Sequence, residues 1–299
     1  MNLSKSRSKL KSYLIPVAGF LMLMMLSSCS PDVELRERIS INDGWKFMKY
    51  ESAEDADSLI YDVRPPLEEY NDAQAADTEP EDAVRVEAET LVLKPWIMPT
   101  GNDFIKNPED RYERPEGNPG SDFPFVQHDF DDSSWEDVTL PHDWAIEGPF
   151  FEGDDAEVTG GMGRLPSPGV AWYRKDLDIP ASDSTKSIFL DIDGAMSYSM
   201  VWVNGNLVGG WPFGYASYRL DLTPHLNYGG ENQVAIRLDN PPESSRWYPG
   251  GGLYRNVWLT KTNPVHVGQW GTYVTTPEVS EESANINLEV TIDNDSERD

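Results

Sequence analysis

From residue 130 onward, apolar side chains fall at every second position in short runs broken by Gly, Asn and Pro. IFLDID (188–193) sets Ile188, Leu190 and Ile192 on one face, and Val234, Ile236 and Leu238 repeat the arrangement in NQVAIRLDN. A period of two belongs to a strand with one buried face. MVWVNGNLVGG (200–210) reads as two strands joined at Asn204-Gly205, a pair that tolerates the positive φ values of a type I′ hairpin turn. INDGWKFMKY, WYRKDLDIP and RNVWLT supply further short strands, and Thr223-Pro224 opens a single helical turn. Farther on, GTYVTT precedes INLEVTI, where Ile286, Leu288, Val290 and Ile292 alternate strictly with polar residues. Beyond residue 28 no window carries the 3.6-residue stripe of an amphipathic helix. The pattern predicts an all-β chain: an antiparallel jelly-roll β-sandwich over residues 39–262, then the start of a second sandwich over 263–299. Two strands alone cannot hold together in water, so either they dock on the first domain or the sequence is the front part of a longer protein, and the second is the expectation.

One stretch breaks the pattern. Residues 51–89 carry fourteen acidic side chains against two basic ones, and a Pro-rich run follows, so 51–127 reads as a long insertion of low regularity. The N-terminus breaks it differently. A basic region ends at Lys11, an apolar run YLIPVAGFLMLMML follows, and LSSC closes at Cys29. Such a segment is a secretory signal, too short to span a membrane stably. Leu26-Ser27-Ser28-Cys29 resembles a lipobox, which makes 1–28 a lipoprotein signal peptide, Cys29 the lipidated residue and 29–38 a polar tether. The expectation is an exported lipoprotein, periplasmic or at the cell surface, held to a membrane by its lipid.

The formal net charge is −28, and removing residues 1–28, with their four cations and no anion, leaves −32. That charge excludes nucleic acid as a partner. Cys29 is the single cysteine, so neither a disulfide nor a thiol catalyst is expected. The four histidines, His128, His142, His225 and His266, lack metal-ligand spacing, and no metal or cofactor is expected.

Candidate chemistry concentrates in LDNPPESSRWYPGGGLYRNVWL (238–259). Asp239 and Asn240 sit at a strand end, Arg246, Trp247 and Tyr248 follow, and Gly250–Gly252 let the backbone turn sharply or pack closely. Flat amphipathic rings cover the C–H face of a sugar, while Arg, Asp and Asn satisfy its hydroxyls. The alternative is that Trp247 and Tyr248 pack inside the sandwich and Arg246 pairs with a surface carboxylate.

Four motifs occur in order: SSWEDVTLPHDWAIEGPF (133–150), GVAWYRKDLDIP (169–180), MVWVNGNLVGG (200–210) and the loop sequence just quoted. Together they resemble the N-terminal sugar-binding domain of family 2 glycoside hydrolases, bacterial β-galactosidases above all. The resemblance covers residues 39–50 and about 128–276. It implies a galactose-binding-domain-like jelly roll, an immunoglobulin-like sandwich and then a TIM barrel bearing two catalytic glutamates that act with retention. It also implies that Asp239 or Asn240, with Arg246, Trp247 and Tyr248, lines the substrate pocket. The register of VTGGMGRLP within the family is not fixed. No barrel is present, so no residue of this chain inherits a catalytic role, and the chain alone is not expected to hydrolyse a glycoside. Expected partners are a β-galactoside oligosaccharide or polysaccharide and the missing barrel. The rival reading is a free-standing, lectin-like carbohydrate-binding surface lipoprotein.

Overall fold

The structure, a computed structural model, describes residues 35–52, 55–57, 59, 93–151, 165–241 and 248–296. The expected signal peptide, Cys29, the first part of the tether, Arg246, Trp247, most of the acidic run and most of VTGGMGRLP lie outside the described residues. The chain divides at Leu35/Arg36, and all the strands named below belong to the second unit.

Two antiparallel sheets face each other. One runs in the order β1 (Arg36–Ser40), β10 (Val257–Thr262), β5 (Ser187–Ile192), β8 (Tyr218–Asp221). The other runs β3 (Glu136–Val138), β2 (Trp45–Lys49), β4 (Gly169–Ile179), β9 (Gly230–Asn240), β6 (Ser199–Val203), β7 (Asn206–Trp211). Between them lies the core. Ile188, Leu190 and Ile192 of β5 and Val234, Ile236 and Leu238 of β9 are all fully buried there, as their alternation predicts. Trp45, Phe47 and Tyr173 fill one end of the same layer. The β6–β7 turn is the expected one, with φ of 50° at Asn204 and 76° at Gly205. The all-β jelly-roll sandwich is therefore the architecture of the unit.

The six-stranded sheet is apolar on its outer face as well, where Trp172, Met200, Trp202, Leu207 and Ala235 form a second core. Leu59, Leu93, Ile97 and Val126 of the insertion cover it. Phe125 stacks edge-on against Trp172 at 5.3 Å, and Trp202 Nε1 donates to the Pro119 carbonyl at 2.9 Å. The Asn118 side chain ties the insertion to the β6–β7 hairpin, donating to the Gly205 carbonyl at 3.0 Å and accepting from Leu207 N–H at 2.9 Å. The segment 93–127 is irregular, built from short helical turns, but it serves as a third layer.

Residues 36–38, expected in the tether, instead belong to β1, an edge strand paired with β10 from Arg36↔Thr262 to Ser40↔Trp258. Its sequence RERIS is charged because one side of an edge strand faces water. β11 (Val265–Val279) and β12 (Ala284–Asn294) form a separate hairpin with a register shift between Val267 and Thr272. Ile286, Leu288, Val290 and Ile292 alternate on it as expected, and all four are exposed.

Candidate functional site

The aromatic loop leaves the sandwich at the end of β9 and returns at Tyr248. Alternation along β9 sends Arg237 and Asp239 to the outer face and Leu238 and Asn240 inward. Asn240 is 2 % exposed. Its Nδ2 donates to the carbonyls of Ser167 (2.7 Å) and Gly250 (2.9 Å), and its Oδ1 accepts from Ser197 Oγ at 2.9 Å. The residue expected as an alternative sugar contact is thus an internal tie joining the two feet of the loop. Asp239 faces outward, its side chain 24 % exposed, and its Oδ2 accepts from Arg237 at 3.2 Å.

Tyr248 is half-buried and held from both sides. Its hydroxyl donates to Asp143 Oδ2 at 2.5 Å, and its carbonyl accepts from the Tyr215 hydroxyl at 2.7 Å. Burial first, then the hydrogen bond and charge of Asp143, push the Tyr248 hydroxyl far above the ordinary tyrosine range. It stays a neutral donor. Asp143 Oδ1 accepts from the backbone N–H groups of Ala145 and Gly251, each at 2.9 Å.

The glycines have their explanation in this contact. His142 N–H donates to the Leu253 carbonyl at 2.9 Å and Trp144 N–H to the Gly251 carbonyl at 3.0 Å, so PHDW and GGGL run backbone to backbone. A Cβ at Gly252, where φ is 119°, would lie 2.4 Å from the His142 carbonyl oxygen. Only glycine permits that approach. Behind it, His142 Nδ1 sits 2.7 Å from the Tyr173 hydroxyl and its ring 4.5 Å from Phe47. Burial lowers the His142 pKa against the opposing pull of Glu147, Glu136 and Asp143.

Beside Tyr215, Phe213 stands 59 % exposed with its ring 5.4 Å away. Chemically, the loop's base offers an exposed ring, an outward carboxylate and a rigid hydrogen-bonded floor. That suits binding and orienting a polyhydroxylated ligand rather than breaking a bond. Arg246 and Trp247 lie outside the described residues. Asp143, Ser197, Phe213 and Tyr215 were not singled out in the sequence. A signal existed only for Asp143, a polar His-Asp pair set among apolar residues in LPHDWAI. Among the described residues no group of three or more His, Cys, Asp or Glu could hold a metal ion, and no helix is long and apolar enough to cross a membrane.

Two antiparallel sheets packed face to face around one core define a jelly-roll β-sandwich of the galactose-binding-like kind. Residues 146–248 match the family described as "Glycosyl hydrolase 2 galactose-binding domain-like". The chain is 47% identical over 173 residues to the beta-galactosidase BoGH2A of Bacteroides ovatus, covering 58% of this chain and 20% of that protein. To a putative beta-glucuronidase of Formosa agariphila it is 35% identical over 169 residues, covering 56% of this chain and 16% of the relative. A solved family 2 glycosyl hydrolase from Bacteroides cellulosilyticus aligns at 35% identity with TM-score 0.52, over 56% of this chain and 22% of that one. A beta-glycosidase from Bacteroides vulgatus aligns at 25% identity with TM-score 0.58, over 88% and 25%. In these enzymes the galactose-binding-like jelly roll is followed by an immunoglobulin-like sandwich, to which β11 and β12 correspond. The chain spans no more than a fifth of the length of these two relatives. Over the matched residues it is similar to part of proteins named as family 2 glycosyl hydrolases, beta-galactosidases and beta-glucuronidases. The lectin-like reading is not favoured, since the relatives are named as glycosidases.

Proposed function

We propose that this chain is the N-terminal portion of a retaining β-galactosidase, exported and anchored through a lipid on Cys29, and that its aromatic loop forms one wall of the substrate pocket. The observation that carries the reading is the 47% identity to a beta-galactosidase. The loop geometry supports it. A loop whose feet are already tied by Asn240 and Tyr248 loses little further freedom when ligand binds, so its contacts go into affinity and orientation. In this reading Asp239, Arg246 and Trp247 meet the sugar, while Asn240 and the Tyr248 hydroxyl hold them in place. In this reading hydrolysis itself belongs to two glutamates of a catalytic barrel.

The test uses the complete enzyme of which this chain is proposed to be part. Trp247→Ala is expected to lower kcat/KM for an aryl β-galactoside about tenfold, equivalent to roughly 1.4 kcal/mol, with an unchanged unfolding midpoint. Unaltered kinetics in a folded variant would remove the loop from the pocket. Turnover of an aryl β-glucuronide in preference to the galactoside would overturn the substrate assignment.

A further inference from the structure

The outer face of the four-stranded sheet is polar, and it floors an open cleft of ≈ 270 Å³ lined by Arg36, Arg38, Asp193, Arg219, Gln269 and Trp270 among others. Arg36 and Arg38 are two positions apart on β1 and so share a face. Across the sheet the register aligns Ser40, Trp258, Asp191 and Arg219. Arg219 grips Asp191 with two bonds, Nε at 2.6 Å and Nη2 at 2.8 Å, and Thr260 Oγ1 adds a third at 2.7 Å. Asp191 is therefore occupied. Asp193 accepts from Trp258 Nε1 at 2.9 Å and reaches Arg38 only at 3.4 Å. Arg38 lies 4.1 Å over the Trp258 ring. Among the described residues, the Arg36 guanidinium bonds to a neutral acceptor, the Val267 carbonyl, at 2.8 Å. The lining thus holds three guanidinium groups against two carboxylates, a local positive surplus in a chain of net charge −28.

Over this floor hangs the irregular stretch of β11, where the register slips between Val267 and Thr272. Bulges re-aim side chains. Here Trp270 takes a φ of 51°, a conformation that aromatic residues rarely adopt, and stands 62 % exposed. Its ring centroid is 5.7 Å from that of Phe104, itself 53 % exposed. An aromatic shelf held out in water beside guanidinium forks has two chemical preferences. The ring favours the C–H face of a pyranose, and the forks favour a carboxylate, which they bind in bidentate geometry. A polyanion such as nucleic acid would be repelled by the chain as a whole, whereas one carboxylate on a sugar matches the small local surplus.

From this juxtaposition we propose that the cleft is a binding site for a uronic-acid unit of a glycan, with the pyranose on Trp270 and the carboxylate on Arg36 and Arg38. Calorimetry on the full chain tests it with two disaccharides that differ only at C6, cellobiouronic acid and cellobiose. Single-site binding of the uronate is expected, with cellobiose weaker by about tenfold or more. Trp270→Ala should weaken the uronate about tenfold with no change in unfolding midpoint, since the ring it removes is exposed. Arg38→Gln should abolish the preference for the uronate over cellobiose. Failure of the uronate to bind, equal binding of the two sugars, or unchanged uronate binding by Trp270→Ala would each overturn the assignment. The Trp270→Ala result decides even if Arg38→Gln does not fold.

Discussion

Replacing Asn240 by Asp changes one NH2 to one oxygen and leaves the shape intact, so it isolates the hydrogen-bond role of the loop's tie. The two carbonyls that Nδ2 serves do not suffer equally. Ser167 O keeps the Trp144 indole N–H at 3.1 Å, and its loss costs about 1 kcal/mol. Gly250 O has Asn240 as its partner at 2.9 Å, and a buried acceptor left without one costs about 2 kcal/mol. A carboxylate facing both carbonyls is repelled, so the total at pH 7 is expected near 3 kcal/mol or above. The pH dependence carries the sharper signature. Burial beside carbonyls raises the folded-state pKa of the new carboxyl above its unfolded value of about 3.9. Between those values the folded form binds more protons than the unfolded, so stability falls as pH rises through the folded pKa and recovers on acidification. Urea unfolding of wild type, Asn240→Asp and Asn240→Ala at pH 7 and pH 5 measures this directly. The Asp variant should close part of its gap to wild type at pH 5, while the Ala variant should hold a constant gap. A loss under about 0.5 kcal/mol at pH 7, the size of an ordinary surface change, would refute the tie, as would an Asp variant that weakens further on acidification.

Arg237→Ala should cost about 3–5 kcal/mol, because it strands a buried carboxylate: the guanidinium is 1 % exposed and meets Asp57, 8 % exposed, at 2.8 Å. Chemical denaturation checks the loss, and limited proteolysis should show earlier cutting within the insertion. Cys29→Ser should move the protein from the membrane to the soluble fraction in cell fractionation, and continued membrane association without labelled lipid on the wild type would discard the anchor.

The strands that sequence revealed were those with one apolar face: β5, β9 and the Asn-Gly hairpin emerge from alternation and turn chemistry alone. β1 stayed hidden because the outer face of an edge strand is as charged as a tether. The order in 93–127 stayed hidden for a different reason. Its scattered apolar residues make sense only against Trp172 and Trp202, whose continuous apolar strands looked like one-sided core. For the site, the glycine run and its aromatic neighbours were visible, and so was the likeness to family 2 hydrolases. The division of labour between Asp239 and Asn240 was not, because it depends on which of two adjacent residues points inward. Asp143 escaped because every partner that gives it meaning, apart from Ala145, lies more than a hundred positions away in Tyr248 and Gly251.

A chain of charge runs from Asp57 in the insertion through Arg237 to Asp239. A peripheral segment thereby touches the end of β9 through the Arg237 guanidinium. A change at Asp57 alone would therefore alter the charge balance at Asp239 while leaving the loop's own letters untouched.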